Sequence, residues 1–290
     1  MRKNNCVRRL LALFSALTLL LLAGCAVGER PSAAAAVPDE PFDGLEVTVL
    51  DAGKADAILL TTPDSAVLID CGEKGFGDEI LGELAARGIG RLDVLIVTHF
   101  DQDHVGGAAK VIGGVEIGRV LQNAFPKDSG EYRKYLRALG KASLTPETVR
   151  ETLSFTLGGA DYTVEPPGRE HYDRDESNNA SLIVTVAYGE TRLLFMGDAE
   201  TARISEFLAS SPARCDVVKL PHHGEKEKLL DALLAAVKPR WAVITCSSAA
   251  PEASSTMKAL AAAGVETYLT RLGAVRIRSD GKELALDYLS

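Results

Sequence analysis

Cysteine and histidine are scarce, at five residues each among 290, and no Cys-x-x-Cys spacing occurs. Net positive charge is missing as well. With 32 basic against 40 acidic side chains the formal charge is −8, which excludes a polycation that holds nucleic acid by bulk charge. Glycine (26) and proline (12) are too few and too irregular for a collagen-like or wholly disordered polymer. No tandem period of 20 to 50 residues is present, which argues against a solenoid or a propeller.

What is present begins with a leader. Arg2, Lys3, Arg8 and Arg9 precede an apolar run from Leu10 to Ala23 that is too short for a comfortable permanent span. The run ends in Leu22-Ala23-Gly24-Cys25, similar to the lipobox of bacterial lipoproteins, in which the cysteine is acylated. Residues 1–24 are therefore expected to be a lipoprotein signal peptide. Its removal takes away four cations and no acid, moving the charge from −8 to −12. Residues 25–44 carry Pro31, Pro38, Pro41 and a run of four alanines, and read as a lipidated Cys25 followed by a flexible tether. These features predict an extracytoplasmic chain held to the cell membrane by its lipid. No further protein partner is implied.

A single domain is expected over 45–290. Short apolar runs such as Val47–Leu50, Val67–Ile69, Val94–Val97, Arg192–Phe195, Val217–Leu220 and Trp241–Thr245 alternate with helical patterns at Asp78–Arg87, Thr201–Ser210, Lys226–Val237 and near Ser255–Ala263. The alternation predicts a layered α/β fold whose loops carry the chemistry. Cys71, Cys215 and Cys246 cannot all pair with one another and read as buried small apolar residues, one disulfide between two of them being the alternative.

The chemistry concentrates after the strand Val94–Val97. Thr98-His99-Phe100-Asp101-Gln102-Asp103-His104-Val105-Gly106-Gly107 places four ligand-type side chains within six residues, and an extended segment turns His99, Asp101 and Asp103 to one side. Imidazole and carboxylate are donors for divalent zinc, manganese or iron, and such carboxylates are costly to bury without a cation. Two more of the five histidines stand together in Pro221-His222-His223-Gly224, and Asp198 follows the strand Arg192–Phe195. His171 lies alone on a charged loop and reads as solvated. Asp51, Lys54, Asp56 and Asp70 are second-tier candidates at strand ends. Asn178 and Asn179 are candidates for substrate binding or for a turn, and Arg169, Arg174, Lys219 and Lys226 for a cationic rim.

These residues resemble the metallo-β-lactamase superfamily, and within it the soluble hydrolase domain of the ComEC-type DNA-uptake proteins. The resemblance rests on Leu50-Asp51-Ala52-Gly53-Lys54-Ala55-Asp56, Leu68-Ile69-Asp70-Cys71-Gly72, the cluster at Thr98–Gly107, Asn178-Asn179-Ala180-Ser181-Leu182-Ile183, Gly197-Asp198 and His222-His223-Gly224, in that order. It implies a four-layer αββα sandwich. It also implies two divalent ions, manganese or zinc: one on Asp103, His104, Asp198 and one of His222 or His223, the other on His99, Asp101 and a shared Asp198. Asp101 and Asp103 would serve the activated water, and Asn178, Asn179 and Lys54 the substrate. Two departures stand out. Asp101 replaces the second histidine of the general superfamily, and Lys54-Ala55 replaces an expected Gln-Gly. The implied activity is a metal-dependent phosphodiesterase or nuclease, with DNA as a candidate substrate. Acyl hydrolysis of a lactam, lactone or thioester, and an inactive metal-binding lipoprotein, remain alternatives.

Overall fold

The computed structural model describes residues 42–289. The expected signal peptide, Cys25 and the tether up to residue 41 lie outside the described residues. Among those described, no helix is long and apolar enough to cross a membrane.

Eight strands form one sheet, in the spatial order β15-β14-β1-β2-β3-β4-β5-β6. They are β1 (Leu45–Val49), β2 (Ile58–Thr62), β3 (Ser65–Ile69), β4 (Arg91–Val97), β5 (Glu116–Gln122), β6 (Glu147–Thr148), β14 (Val275–Ser279) and β15 (Leu284–Tyr288). Seven strands form the second, in the order β13-β12-β11-β10-β9-β8-β7. They are β7 (Leu153–Leu157), β8 (Ala160–Glu165), β9 (Ile183–Tyr188), β10 (Thr191–Phe195), β11 (Val217–Lys219), β12 (Trp241–Ile244) and β13 (Glu266–Leu269).

Period-2 alternation assigns each face. Val94 and Ile96 of β4 join Leu193 and Phe195 of β10 in a core between the two sheets. Their neighbours Leu95 and Val97 turn outward beneath α1 (Gly77–Ala86), α3 (Ala108–Gly114) and α4 (Gly130–Lys141). On the other side Leu194, Ala242 and Ile244 lie under α6 (Thr201–Ala209), α7 (Leu230–Val237) and α8 (Ser254–Ala262). Strands apolar on both faces are those that helices cover. The result is helix, sheet, sheet, helix, the expected four-layer αββα sandwich.

Strands β3 to β6 run parallel, and so do β10 to β13. The carboxyl ends of β3, β4, β10, β11 and β12 therefore open into loops that carry the ligand-type residues, the usual place for a site in such sheets. Cys71, Cys215 and Cys246 are free and buried, in keeping with their reading as small apolar residues. Burial pushes the thiols up, that of Cys246 to about 11 and that of Cys215 to about 12. The sequence reading placed no element between Gly107 and Tyr162, where the structure has α3, β5, α4, β6 and β7. Helix α4 buries only Tyr135 and Leu139 among its charged residues, and β5 is interrupted by Glu116, Gly118 and Arg119 on its less covered end. Both have weak apolar contrast.

Candidate metal centre

The turn after β4 is held from below by backbone. Cys71 N–H donates to the His104 carbonyl at 2.7 Å, and Gly107 N–H to that of Gly72 at 3.3 Å. A β-carbon on Gly107 would sit 2.2 Å from the Cys71 carbonyl oxygen, so only glycine allows this approach. The short helix α2 (Gln102–Val105) starts there and carries Asp103 and His104.

Four residues offer ligand atoms within 4.8 Å of one another: Asp103, His104, Asp198 and His223. His104 Nε2 lies 3.2 Å from Asp198 Oδ1, His223 Nε2 lies 3.1 Å from Asp198 Oδ2, and the same nitrogen is 3.3 Å from Asp103 Oδ2. His99 Nε2 borders the group, 4.0 Å from Asp198 Oδ2. Of the two adjacent histidines, either of which the sequence offered for this centre, His223 is the one whose ring reaches it. His222 and His223 are both left-handed, with φ of 48° and 52°, and this backbone sends their side chains apart. His222 turns instead to Glu200 at 3.7 Å and Glu227 at 3.3 Å. Two successive non-glycine residues in this region cost about 1–3 kcal/mol each, a strain that the surrounding contacts hold.

Hydrogen bonds at the far side of each ring set its tautomer. Thr98 Oγ1 donates to Asp70 Oδ2 at 2.6 Å, so the hydroxyl oxygen accepts from His99 Nδ1 at 3.1 Å. His104 Nδ1 donates to Asp70 Oδ2 at 2.8 Å. Thr245 Oγ1 donates to Asp56 Oδ1 at 2.7 Å and accepts from His223 Nδ1 at 2.9 Å. With Nδ1 donating outward in all three, every Nε2 is the nitrogen that faces inward, where a proton or a metal ion can take its lone pair. His99 Nε2, His104 Nε2, His223 Nε2 and Asp198 Oδ1 are buried with no hydrogen-bond partner. Leaving four such atoms unsatisfied is costly; a divalent cation would take those of His104, His223 and Asp198 as donors.

Electrostatics agree. Burial, then the neighbouring His104, pushes His99 down to about 3, so its ring is neutral. Burial opposes charge on His104 and His223, but Asp198, together with Asp70 at His104 and Asp103 at His223, more than offsets it and raises both. Burial likewise raises Asp198, and His104 and His223 more than reverse that, holding its carboxylate well below the usual range. The site thus keeps a full carboxylate charge buried among three imidazoles.

Other sequence candidates fall elsewhere. Asp101 is 25% exposed and its Oδ1 accepts from Lys127 and Ser177, outside the four-residue group. Lys54 is paired with Glu225 near the surface and reaches no ligand. Asn178 Nδ2 donates to Glu200 at 2.7 Å on the rim. Of the two roles open to Asn179, substrate binding or a turn, its bonds fit the turn: its side chain is spent on Arg203 N–H and on the Arg174 and Asp175 carbonyls, closing α5 (Glu176–Asn179) onto α6. Asp56 and Asp70 orient the histidines through their far nitrogens. Lys219 is no rim cation; it is 1% exposed and paired with Asp56. Asp51 and His171 are exposed. Sequence reasoning missed Lys127, Ser177, Thr245, Glu200 and Glu227, whose neighbours in the chain form no motif.

Comparison with known proteins agrees with this geometry. A family model described as the metallo-beta-lactamase superfamily matches residues 50–247. The chain is 30% identical over 223 residues to ComE operon protein 3 of Bacillus subtilis, covering 69% of this chain and 28% of that one. It is 27% identical over 205 residues to Recombination protein 2 of Haemophilus influenzae, covering 69% and 24%. To Competence protein ComA of Neisseria gonorrhoeae it is 28% identical over 229 residues, covering 78% and 29%. The chain thus spans under a third of the length of these relatives. Among solved structures, the metallo-beta-lactamase fold protein YhfI of Bacillus subtilis superposes with a TM-score of 0.54 at 13% identity, covering 78% of this chain and 97% of that one. Zn(2+)-bound PqqB of Methylobacterium extorquens gives 0.51 at 13% identity, covering 77% and 97%. These two show the fold alone.

Proposed function

The chain belongs to the metallo-beta-lactamase superfamily, and from that premise we propose that it is a metal-dependent hydrolase of phosphodiesters, DNA among them, held outside the cytoplasm by a lipid on Cys25. The observation that carries the reading is the set of four buried, unpartnered donor atoms converging from His99, His104, His223 and Asp198. Asp103, His104, Asp198 and His223 would hold a divalent ion, manganese or zinc. When bound, such an ion lowers the pKa of a water and offsets charge building on a phosphate. The names of two of the relatives, a recombination protein and a competence protein, support a nucleic acid or its fragments as substrate.

The chain's own residues do the rest. Asp70, Thr98 and Thr245 fix the imidazoles so that no side-chain reorganisation is needed when substrate arrives. His222 stands at the rim with its ring centroid 6.4 Å from that of His223. Burial opposes its charge, but the Glu227 hydrogen bond and the nearby carboxylates raise its pKa. This favours its protonated form, and from the rim it would serve to donate a proton to a leaving oxygen.

Two measurements test this. The purified chain, assayed with added manganese, zinc or magnesium, should cleave a DNA oligonucleotide and bis-p-nitrophenyl phosphate faster than any lactam, lactone or thioester. Higher acyl turnover reassigns the substrate class, and inertness toward both panels despite bound metal reassigns the chain as a binding protein. His222→Gln should slow an unactivated dinucleotide by about 100-fold but hardly affect p-nitrophenolate release, because only the poorer leaving group needs the proton. The wild-type rate on the dinucleotide should fall as pH rises through the raised His222 pKa, and this limb should vanish in the variant.

A further inference from the structure

The superfamily resemblance implies a second cation on His99, Asp101 and a shared Asp198, and the structure fits that ion poorly. Asp101 accepts from two donors on the same oxygen, the Lys127 ammonium and the Ser177 hydroxyl. The Asn178-Asn179 segment brings no replacement. Asn178 is turned to Glu200, and Asn179 is consumed within the fold. Asp198 already faces His104 and His223 at 3.2 Å and 3.1 Å. Only the His99 imidazole remains unshared for the second ion, whereas the first has Asp103, His104 and His223 besides Asp198.

We propose that Lys127 takes the electrostatic place of the second cation, so that the centre holds one tightly bound divalent ion and an ammonium seated on Asp101. The Lys127 side chain is 37% exposed and comes from the loop before α4, so it packs into no core and leaves at little structural cost. Its positive charge is seated on Asp101, the carboxylate that a second ion would need. Two cations drawn to one carboxylate repel where water is partly excluded, and one oxygen of the carboxylate the ion needs already accepts from two donors. Lys127 thus selects the number of metal ions without being a ligand.

This inference rests on the metal-dependent reading above and is tested separately from it. The full chain, stripped by chelator, is titrated with manganese alone and with zinc alone by calorimetry. Bound ions are counted by elemental analysis after gel filtration, and manganese is followed by electron paramagnetic resonance. Wild type should retain one ion, with an isolated-ion manganese spectrum. Lys127→Met should admit a second ion about 10-fold or more tighter than wild type does, with a spin-coupled spectrum. Lys127→Arg should behave as wild type, and Asp101→Asn combined with Lys127→Met should lose the added ion. Two equally tight ions in the wild type, or a Lys127→Met titration superimposing on it, would overturn the inference and leave the metal-dependent reading intact. No ion in the wild type would overturn both.

Discussion

Asp198→Ala and His223→Ala should each abolish metal retention and lower phosphodiester turnover by at least about 1,000-fold, a loss of roughly 4 kcal/mol of transition-state stabilisation. Asp198 touches every imidazole of the centre, lying 3.2 Å from His104, 3.1 Å from His223 and 4.0 Å from His99. Its removal deletes a ligand and also the negative charge that draws a cation in. Thermal unfolding supplies a second readout. Metal at about 100 times its dissociation constant should stabilise the wild type by roughly 2.7 kcal/mol, raising Tm by roughly 5–10 °C for a domain of this size, and neither variant should respond. His99→Ala should keep its metal, because His99 stands outside the four-residue group. Acid should weaken binding in the wild type. Asp198 raises His104 and His223 in the metal-free protein, so protons compete for the same nitrogens, and calorimetry in buffers of different ionisation enthalpy should record proton release on binding. Equal metal content in wild type and Asp198→Ala would refute the assignment of the centre.

Much of this centre was legible because its donors stand directly after strands. An apolar run ending in Thr98-His99, another ending in Gly197-Asp198, and a third ending in Pro221-His222-His223 need only adjacent carboxyl ends to converge. The choice between His222 and His223 was not legible, because it depends on two consecutive left-handed residues, a conformation that histidine identity does not prescribe. The support beneath the ligands was hidden for another reason. Thr245 meets Asp56 across 189 residues, and Lys127 meets Asp101 across 26, separations at which no local pattern survives. Lys219 misled by chemistry. A lysine beside a candidate site reads as a solvated rim charge, and only the tertiary fold brings Asp56 to its ammonium inside the protein.

That buried pair carries the second large effect. Lys219→Met should destabilise the domain by about 3–5 kcal/mol, because it strands a carboxylate in the interior. Asp56 is 1% exposed, and the Lys219 ammonium also donates to the Gly197 carbonyl at 3.1 Å and lies 3.8 Å from Asp198. One lysine thus ties β11 to the turn that presents Asp198 and to the loop that, through Thr245, orients His223. Tm of the metal-free variant should fall by roughly 10 °C. The sign of its pH dependence follows from Asp56. Burial raises the Asp56 pKa, but Lys219, with His104 and His223, reverses this and leaves it below its ordinary value in the wild type. The pair's contribution is therefore complete above the unfolded carboxylate pKa and is lost as pH falls through the depressed folded one. Without the ammonium, burial dominates and Asp56 takes up a proton at higher pH, relieving the penalty. The Tm gap between variant and wild type, both in chelator, should accordingly narrow from pH 7 to pH 5. Asp56→Asn with Lys219→Met should recover part of the loss, since no buried charge is then left alone. A gap that widens on acidification, or a double variant less stable than Lys219→Met alone, would show that Lys219 acts through Asp198 or through packing and not through Asp56.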